Sequence, residues 1–178
     1  MRHYNHSAKV YDTQYSQEQN SKIKTTLESL QLKKQSLILD AGCGTGLFFP
    51  YIAETAKLIV GTDISAGILR EAKKKAKQYL NVALLRVDAD HTPFPSRIFD
   101  TVFAVTLLQN MPVPHLTLVE MRRVSKNDAF IVATGLKKTF SKDEFAELLR
   151  KAGLEILVMK TDDQQKENIA LCTKHCTR

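Results

Sequence analysis

Short apolar runs separated by segments with helical spacing are the feature of this sequence that most limits its fold. Ser36 to Asp40 is almost wholly apolar, as expected for a strand buried on both faces of a parallel sheet. Similar runs follow at Lys57 to Thr62, Val82 to Val87, Thr101 to Thr106, Ala129 to Thr134, Glu155 to Lys160 and Asn168 to Thr173. This alternation predicts an α/β fold, a doubly wound three-layer sandwich of about seven strands.

Two of the intervening segments carry signals for the start of a helix. Ser65 is a predicted N-cap, because it precedes an apolar stripe with a spacing of three to four residues. That stripe consists of Ile68, Leu69, Ala72, Ala76, Tyr79 and Leu80. Ser141 and Glu144 have the spacing of a capping box, and Gly153 is predicted to end the helix that follows. Leu47 to Ala56 is predicted as the first crossover helix.

The first 35 residues differ from the rest of the chain. Ser16 to Gln19 is a candidate cap for a helix whose apolar face holds Ile23, Leu27 and Leu30. We therefore expect residues 1–35 to form a helical cover segment and residues 36–178 to form the ligand-binding domain. A length of 178 residues provides one hydrophobic core, so a separate substrate domain is not expected.

The composition narrows the possible environments and partners. Lys plus Arg number 26 against 19 Asp plus Glu, so the net charge is +7, which favours a polyanionic partner without requiring one. No apolar stretch is long enough for a membrane helix, and the opening residues lack the apolar core of a secretory signal. Three cysteines favour a reducing, cytoplasmic location. Cys172, His175 and Cys176 do not make a complete ligand set, so no metal is expected.

A glycine-rich loop, Asp40 to Gly46, directly follows the first predicted strand. Alternate glycines let the backbone turn tightly and let a ligand lie against it. A dinucleotide-binding loop would have glycine where this chain has Leu47, and a phosphate-binding loop would continue from Gly46 with Lys and Ser or Thr. The loop is therefore interpreted as a ligand cradle of another kind, the alternative being a turn that only redirects the chain.

Carboxylates end the first three predicted strands. Asp63, after the second strand, is placed to accept hydrogen bonds from both hydroxyls of a ribose. Asp88, after the third strand, can accept from an exocyclic amine of adenine, while the next backbone N–H donates to a ring nitrogen. A single aspartate at such a position is more often a cap or turn residue. Together with Asp40, however, these residues indicate a nucleoside site.

In this order and at this spacing, several stretches resemble the class I S-adenosylmethionine-dependent methyltransferases over about residues 36–178. The stretches are Asp40–Gly46, Gly61–Ser65, Asp88–Phe94, Phe99–Asp100 and Leu118–Val124. The resemblance implies a Rossmann-like sheet that is mostly parallel with an antiparallel last strand, and S-adenosyl-L-methionine as cofactor. The residues that it places at the cofactor are Asp40, Ala41, Gly42, Cys43, Gly44, Gly46, Asp63, Ile64, Asp88, Ala89 and Thr106, with Tyr11 and Tyr15 closing over it.

The stretch after the fourth strand, Thr106 to Pro112, is the candidate acceptor side. Gln109 and Asn110 stand where the family often has histidine. Amides can orient an amine or a hydroxyl but cannot take its proton near neutral pH, so no strong general base is visible. The two amides are candidate substrate-orienting residues, and it is equally possible that they only terminate the strand.

The short connection from Gly135 to Phe140 predicts an open site, which favours a macromolecular acceptor, with RNA (tRNA or rRNA) ahead of protein. Candidate phosphate contacts are Lys33, Lys34, Arg122, Arg123, Lys137, Lys138, Lys174, His175 and Arg178. The alternatives are a small-molecule acceptor such as a quinone precursor, or a catalytically silent cofactor-binding subunit. DNA and membrane partners are not expected.

In the strand order that the resemblance implies, the third strand, Val82 to Val87, is a sheet edge. It carries one charge and no proline, so little prevents another chain from pairing with it. Minimal methyltransferases similar to this chain in size use a small activator protein in this way. A small activator bound at this edge is therefore a hypothesis for a partner.

Overall fold

The computed structural model describes residues 23, 26, 27, 30, 32–161 and 165–174. Within these residues the strands are β1 (Ser36–Ala41), β2 (Ala56–Asp63), β3 (Val82–Arg86), β4 (Phe99–Ala104), β5 (Ser125–Leu136), β6 (Leu154–Lys160) and β7 (Glu167–Lys174). The helices are α1 (Phe49–Ile52), α2 (Ala66–Ala76), α3 (Pro114–Val124) and α4 (Lys142–Lys151), with a 3₁₀ helix at Leu108–Asn110.

The strands form one sheet in the order β3-β2-β1-β4-β5-β7-β6. Strands β1 to β5 run parallel to one another, whereas β7 pairs antiparallel with both β5 and β6. This confirms the predicted doubly wound α/β sheet with an antiparallel last strand. The winding direction reverses between β1 and β4, where the carboxyl ends of the strands leave a crevice for a ligand.

The sheet has a hydrophobic cluster on each face. Successive residues of a strand point to opposite faces, so Leu39 and Val102 pack in one cluster and their neighbours Ile38 and Phe103 pack in the other. All four are completely buried. The first cluster packs under α3 and α4, and the second packs under α1 and α2. Burial on both faces explains why the central strands are continuous apolar runs.

Both predicted helix starts are confirmed. The Ser65 hydroxyl accepts a hydrogen bond from the Ile68 N–H, and Ser141 and Glu144 form a complete capping box. Gly153 follows α4 with a φ of 76°, a left-handed conformation that favours glycine.

The predicted stripe after Ser65 was too long. Helix α2 ends at Ala76, and Leu80 is fully exposed. The chain turns there because the Asn81 side-chain amide donates to the carbonyls of Ala53 and Ala56. These bonds hold the start of β3 beside the end of the first crossover.

The first crossover helix is much shorter than the predicted Leu47 to Ala56. Helix α1 is a single turn, because the chain already enters β2 at Ala56. Pro50 lies in the first turn, where its missing N–H leaves no hydrogen bond unmade.

The predicted apolar face of the cover segment packs on the domain. Ile23 and Leu30 are buried in the cluster beneath α1 and α2, and Leu27 packs against it. Ser16 to Gln19 lies outside the described residues, so its capping role and the boundary at residue 35 stay predictions. No helix in the described part of the chain has the length and apolar character needed to cross a bilayer.

Candidate active site

A cavity of about 450 Å³ opens at the carboxyl ends of β1, β2 and β4. Its position is the crevice where the winding of the sheet reverses. The residues that line it are Ile23, Asp40, Gly42, Cys43, Gly44, Thr45, Leu47, Phe48, Asp63, Ile64, Ser65, Ile68, Asp88, Asp90, Val105, Thr106, Leu107, Asn110, Met111 and Pro112. Acidic residues come from the ends of β1 and β2 and from beyond β3, whereas the wall after β4 is largely apolar.

The three glycines of the loop do different things. All three have positive φ, but only Gly42 and Gly44 line the cavity. Among the described residues, no atom lies within 4 Å of a Cβ built at Gly44, so on this side of the loop the described part of the chain leaves room for a ligand. A Cβ at Gly46 would lie 2.3 Å from the ring of Phe49. Gly46, predicted as a cofactor contact, does not line the cavity, and its lack of a side chain makes room for the aromatic core residue Phe49.

Asp63 ties the loop to the next helix. Its Oδ2 accepts a hydrogen bond from the Gly44 N–H at 3.2 Å, and its Oδ1 accepts from the Ser65 N–H at 2.8 Å. Burial raises the pKa of this carboxyl, and the backbone hydrogen bonds oppose that rise. Each oxygen still has a further lone pair with which to accept from a ligand hydroxyl.

Asp40 lines the cavity and has a buried oxygen without a hydrogen-bond partner among the described residues. The residue is only 3% exposed, and its Oδ2 accepts no hydrogen bond from any described residue. Burial, with the negative charge of Asp63 as a second cause, raises the pKa of Asp40 to about 7. A buried carboxylate without a partner is costly, so this end of the cavity suits a ligand that brings a positive charge or hydrogen-bond donors.

Asp88 and Asp90 lie on the side of the cavity beyond β3. Asp88 is exposed, and its Oδ1 accepts from the Asp90 N–H at 3.0 Å. Asp90 also lines the cavity, with its Oδ1 bonded to the Thr117 hydroxyl at 2.5 Å. The prediction named Ala89, which is buried and does not line the cavity, and it missed Asp90.

The two predicted substrate-orienting amides have different positions. Leu107 and Asn110 both line the cavity, because side chains three residues apart are eclipsed in a 3₁₀ helix. Gln109 does not line the cavity, which does not support a direct contact with substrate. Its Oε1 is instead buried, with no hydrogen bond from the described residues. The Asn110 amide donates to the Thr106 carbonyl at 3.0 Å.

Other predicted contacts have varied placements. Ile64 and Thr106 line the cavity, Ala41 is fully buried behind it, and Tyr11 and Tyr15 lie outside the described residues. Cys43 lines the cavity, but burial and the nearby Asp40 and Asp63 raise its thiol pKa well above the ordinary value. A thiol with a raised pKa is a poor nucleophile, which agrees with the interpretation of Cys43 as a small loop residue.

The apolar wall could not be located residue by residue from the sequence. Val105, Met111 and Pro112 belong to the stretch that was expected to face the acceptor. Ile23 was expected only to cover the core, yet it reaches the cavity. Among the residues that the structure describes, no group of His, Cys, Asp or Glu side chains is arranged to hold a metal ion.

Solved structures share this fold. A SAM-dependent methyltransferase from Aquifex aeolicus superposes with a TM-score of 0.77 at 19% identity, covering 85% of this chain and 89% of that chain. A methyltransferase solved in complex with the Haloferax volcanii Trm112 activator gives a TM-score of 0.82 at 15% identity, covering 96% of this chain and 97% of that chain.

Curated relatives match part of the chain. The demethylmenaquinone methyltransferase of Staphylococcus carnosus is 33% identical over 106 residues, which are 58% of this chain and 44% of the relative. The malonyl-[acyl-carrier protein] O-methyltransferase of Hamiltonella defensa is 31% identical over 103 residues, 58% of this chain and 39% of the relative. This chain thus spans less than half the length of either relative.

A family model described as a methyltransferase domain matches residues 39–133, which include the glycine loop, Asp63, Asp88 and the 3₁₀ helix. The match covers more than half of the chain and agrees with the sheet order and with the methyltransferases of the same fold. The chain therefore belongs to the methyltransferase domain family.

Proposed function

We propose that the chain transfers a methyl group from S-adenosylmethionine to a small, largely apolar acceptor. The observation that carries this proposal is the wall after β4, where Val105, Leu107, Met111 and Pro112 line the cavity. Apolar surface continues outside the cavity with Val113, which is exposed. Ligand sites of this kind exclude water and bind apolar molecules by burial. The relatives that act on demethylmenaquinone support an acceptor of this chemistry.

The residues present fit the cofactor at the opposite end of the cavity. S-adenosylmethionine supplies a methyl group already activated by a positively charged sulfur. The ammonium group of its methionine part would satisfy the buried Asp40 carboxylate, while the open backbone at Gly44 gives it room. Asp63 would accept from the ribose hydroxyls, and Asp88 would face the adenine.

The chain's own contribution to catalysis is positioning and exclusion of water. The acceptor must lie in line with the reactive methyl group, and the apolar wall would hold it there. A dry wall also prevents water from competing as an acceptor. Leu107 is packed against the loop, since a Cβ on Gly42 would lie 2.9 Å from Leu107 Cδ1. The acceptor wall and the cofactor loop therefore touch each other directly.

RNA is kept as the second candidate acceptor, although several predicted phosphate contacts are used within the chain. Arg123 bonds to Glu120 and to the Phe94 carbonyl, and Arg122 donates to the Gly153 carbonyl. Lys33 pairs with Asp128. An RNA acceptor is supported by Lys137 and Lys138, which follow β5 at the carboxyl ends of the parallel strands, the end of the sheet where the cavity lies.

An activator protein at the β3 edge is a further proposal. Strand β3 lies at one end of the sheet, and its Leu85 is exposed. An edge with free backbone groups can accept a strand from another chain. The similar methyltransferase from a complex with an activator supports this idea. A monomeric, fully active preparation of the chain alone would contradict it. A cytoplasmic location likewise stays a prediction.

The acceptor is tested with radiolabelled S-adenosylmethionine. The chain is incubated with 1,4-naphthohydroquinone as a probe and, separately, with RNA, protein and metabolite fractions of a cell extract. Label is expected in the probe and in the metabolite fraction. Met111→Glu, which puts a charge in the apolar wall, should abolish labelling, whereas Val119→Glu, on the exposed face of α3, serves as the matched control. Label confined to RNA would overturn the proposal.

A further inference from the structure

The loop that follows β3 supplies two carboxylates to the cavity and is bonded to helix α3. Asp88 and Asp90 both line the cavity. Thr117, which is fully buried in α3, donates from its hydroxyl to Asp90 Oδ1 at 2.5 Å. The Asp90 N–H in turn donates to Asp88 Oδ1 at 3.0 Å. Two hydrogen bonds therefore connect a buried hydroxyl of α3, through Asp90, to the carboxylate that is proposed to face the adenine.

A second contact with α3 holds the same loop two residues further along the chain. Both the N–H and the hydroxyl of Thr92 donate to Glu120 Oε1, at 2.9 and 2.5 Å. Arg123 pairs with Glu120 Oε2 at 2.7 Å and also donates to the Phe94 carbonyl at 2.8 Å. Burial raises the pKa of Glu120, but hydrogen bonds from Arg123 and Thr92 bring this pKa below its ordinary value. Glu120 is thus an ionised carboxylate with its partners in place, and it holds the loop against α3.

The bond from Thr117 to Asp90 is not the one that the burial of Thr117 requires. A buried hydroxyl in a helix can donate to the carbonyl four residues earlier. Ser125, just after α3, does this with the Met121 carbonyl at 2.6 Å. Thr117 instead donates to a side chain at the cavity, and that side chain is only half-buried, so water could solvate it. The bond therefore fixes a carboxylate that faces a ligand.

A carboxylate in a fixed position selects between bases by its chemistry. Its oxygens accept a hydrogen bond from the exocyclic amine of adenine. Hypoxanthine has a carbonyl oxygen in place of this amine, which offers no hydrogen and would repel the carboxylate. A carboxylate that can turn away from this oxygen discriminates less than one that is held in place. The bonds between the loop and α3 therefore affect base selectivity.

We propose that Thr117 is a positioning residue for the base selectivity of the cavity. By fixing Asp90, and through it Asp88, Thr117 makes the cavity prefer adenine to a base with a carbonyl in place of the amine. Thr117 acts only through these residues, since it does not itself line the cavity. Glu120 and Arg123 hold the other end of the loop. The inference rests on the proposed function, which supplies its ligand, S-adenosylmethionine.

The test compares S-adenosylhomocysteine with S-inosylhomocysteine, which has the carbonyl, by calorimetry. One hydrogen bond to a charged group corresponds to a preference of roughly tenfold to a hundredfold for the adenine compound in the wild-type chain. Thr117→Val keeps the shape of the side chain and removes its hydroxyl, so it should narrow this preference by about threefold to tenfold. Thr117→Ser should retain the preference. Ser125→Ala is the matched control, because it removes a buried hydroxyl that does not bond to the loop, and it should leave the preference unchanged.

A double-mutant cycle separates positioning from packing. Asp90→Ala removes the other partner of the bond, so it should also narrow the preference. Thr117→Val in the Asp90→Ala background should then narrow it no further, because the bond is already absent. If Thr117 served only to fill the core, Thr117→Val would lower the thermal unfolding temperature and leave the preference of the folded protein as in the wild type.

The inference is overturned if Thr117→Val keeps the wild-type preference, or if the effects of Thr117→Val and Asp90→Ala on the preference are additive. It is also overturned if the wild-type chain binds the two compounds equally or binds neither. Should Thr117→Val fail to fold, Asp90→Ala decides, since an unchanged preference in that variant overturns the inference. Failure of the proposed acceptor is distinguishable, because these titrations contain no acceptor. Label confined to RNA would overturn the apolar acceptor alone, and the base preference would stay as expected here.

Discussion

Replacing Asp40 with Asn should change how the stability of the cofactor-free protein depends on pH. Burial and the neighbouring Asp63 raise the pKa of Asp40 from 3.8 to about 7. As the pH rises between these values, the unfolded chain ionises this carboxyl and the folded chain does not. Asp40 therefore contributes stability that is present below pH 4 and is lost as the pH rises through 7. The full loss corresponds to about 4 kcal/mol.

The measurement is urea unfolding of the cofactor-free chain at intervals from pH 4 to pH 8. The free energy of unfolding of Asp40→Asn, relative to wild type, should increase by several kcal/mol over this range and then stay level. Asp63 faces Asp40, and its pKa is also raised by burial, so its titration is present in both proteins. Parallel curves for the two proteins would refute the reasoning, because Asp40 would then ionise equally in the folded and unfolded states.

Asp100→Asn is the matched control. Partial burial raises the pKa of Asp100, but hydrogen bonds from Lys126 and from the Leu37 N–H outweigh it, so the pKa is lowered. A group whose pKa is lowered in the folded state stabilises the fold at any pH above its ordinary pKa. This stabilisation is lost as the pH falls. The relative stability of this variant should therefore decrease as the pH rises, opposite in sign to Asp40→Asn.

The same carboxyl should make cofactor binding depend on pH. A positive charge beside Asp40 stabilises its ionised form, so binding below pH 7 must release a proton. The affinity of the wild-type chain for S-adenosylmethionine should rise by up to tenfold per pH unit towards pH 7. Calorimetry in buffers with different ionisation enthalpies measures the proton release. Asp40→Asn should bind weakly, with no such release, and a pH-independent wild-type affinity would contradict the assignment.

Two further predictions follow from the loop and from α4. Gly46→Ala should destabilise the fold by roughly 2 kcal/mol or more, because the new methyl group would meet the ring of Phe49 at a positive φ. Gly44→Val should instead lower the affinity for the cofactor more than it lowers stability, since the valine side chain would enter the cavity. If Gly46→Ala and Gly44→Val had equal effects on thermal unfolding, these different roles of the two glycines would be contradicted. Ser141→Ala should cost about 1 kcal/mol in urea unfolding, because it removes the capping box with Glu144. An unchanged unfolding midpoint would show that the cap contributes nothing.

Much of the fold could be predicted from the sequence because the signals are local. Ser65 and Ser141 bond to backbone N–H groups three residues away, so their roles depend only on nearby residues. The runs of the central strands were visible because burial on both faces demands apolar residues throughout. Predictions failed where a distant group intervened. Tyr79 and Leu80 continue the helical pattern, but Asn81 bonds to Ala53 and Ala56 and turns the chain away.

The sequence by itself determined the class of the protein, since a glycine loop after a buried strand and carboxylates after the next strands are short patterns with a direct chemical meaning. Only the tertiary structure decided which distant residues meet behind the wall after β4. Glu167 meets Thr106 because β7 inserts beside β5, and the two residues are far apart along the chain. Strand order and register depend on hydrogen bonds between distant segments, and no short pattern in either segment specifies them.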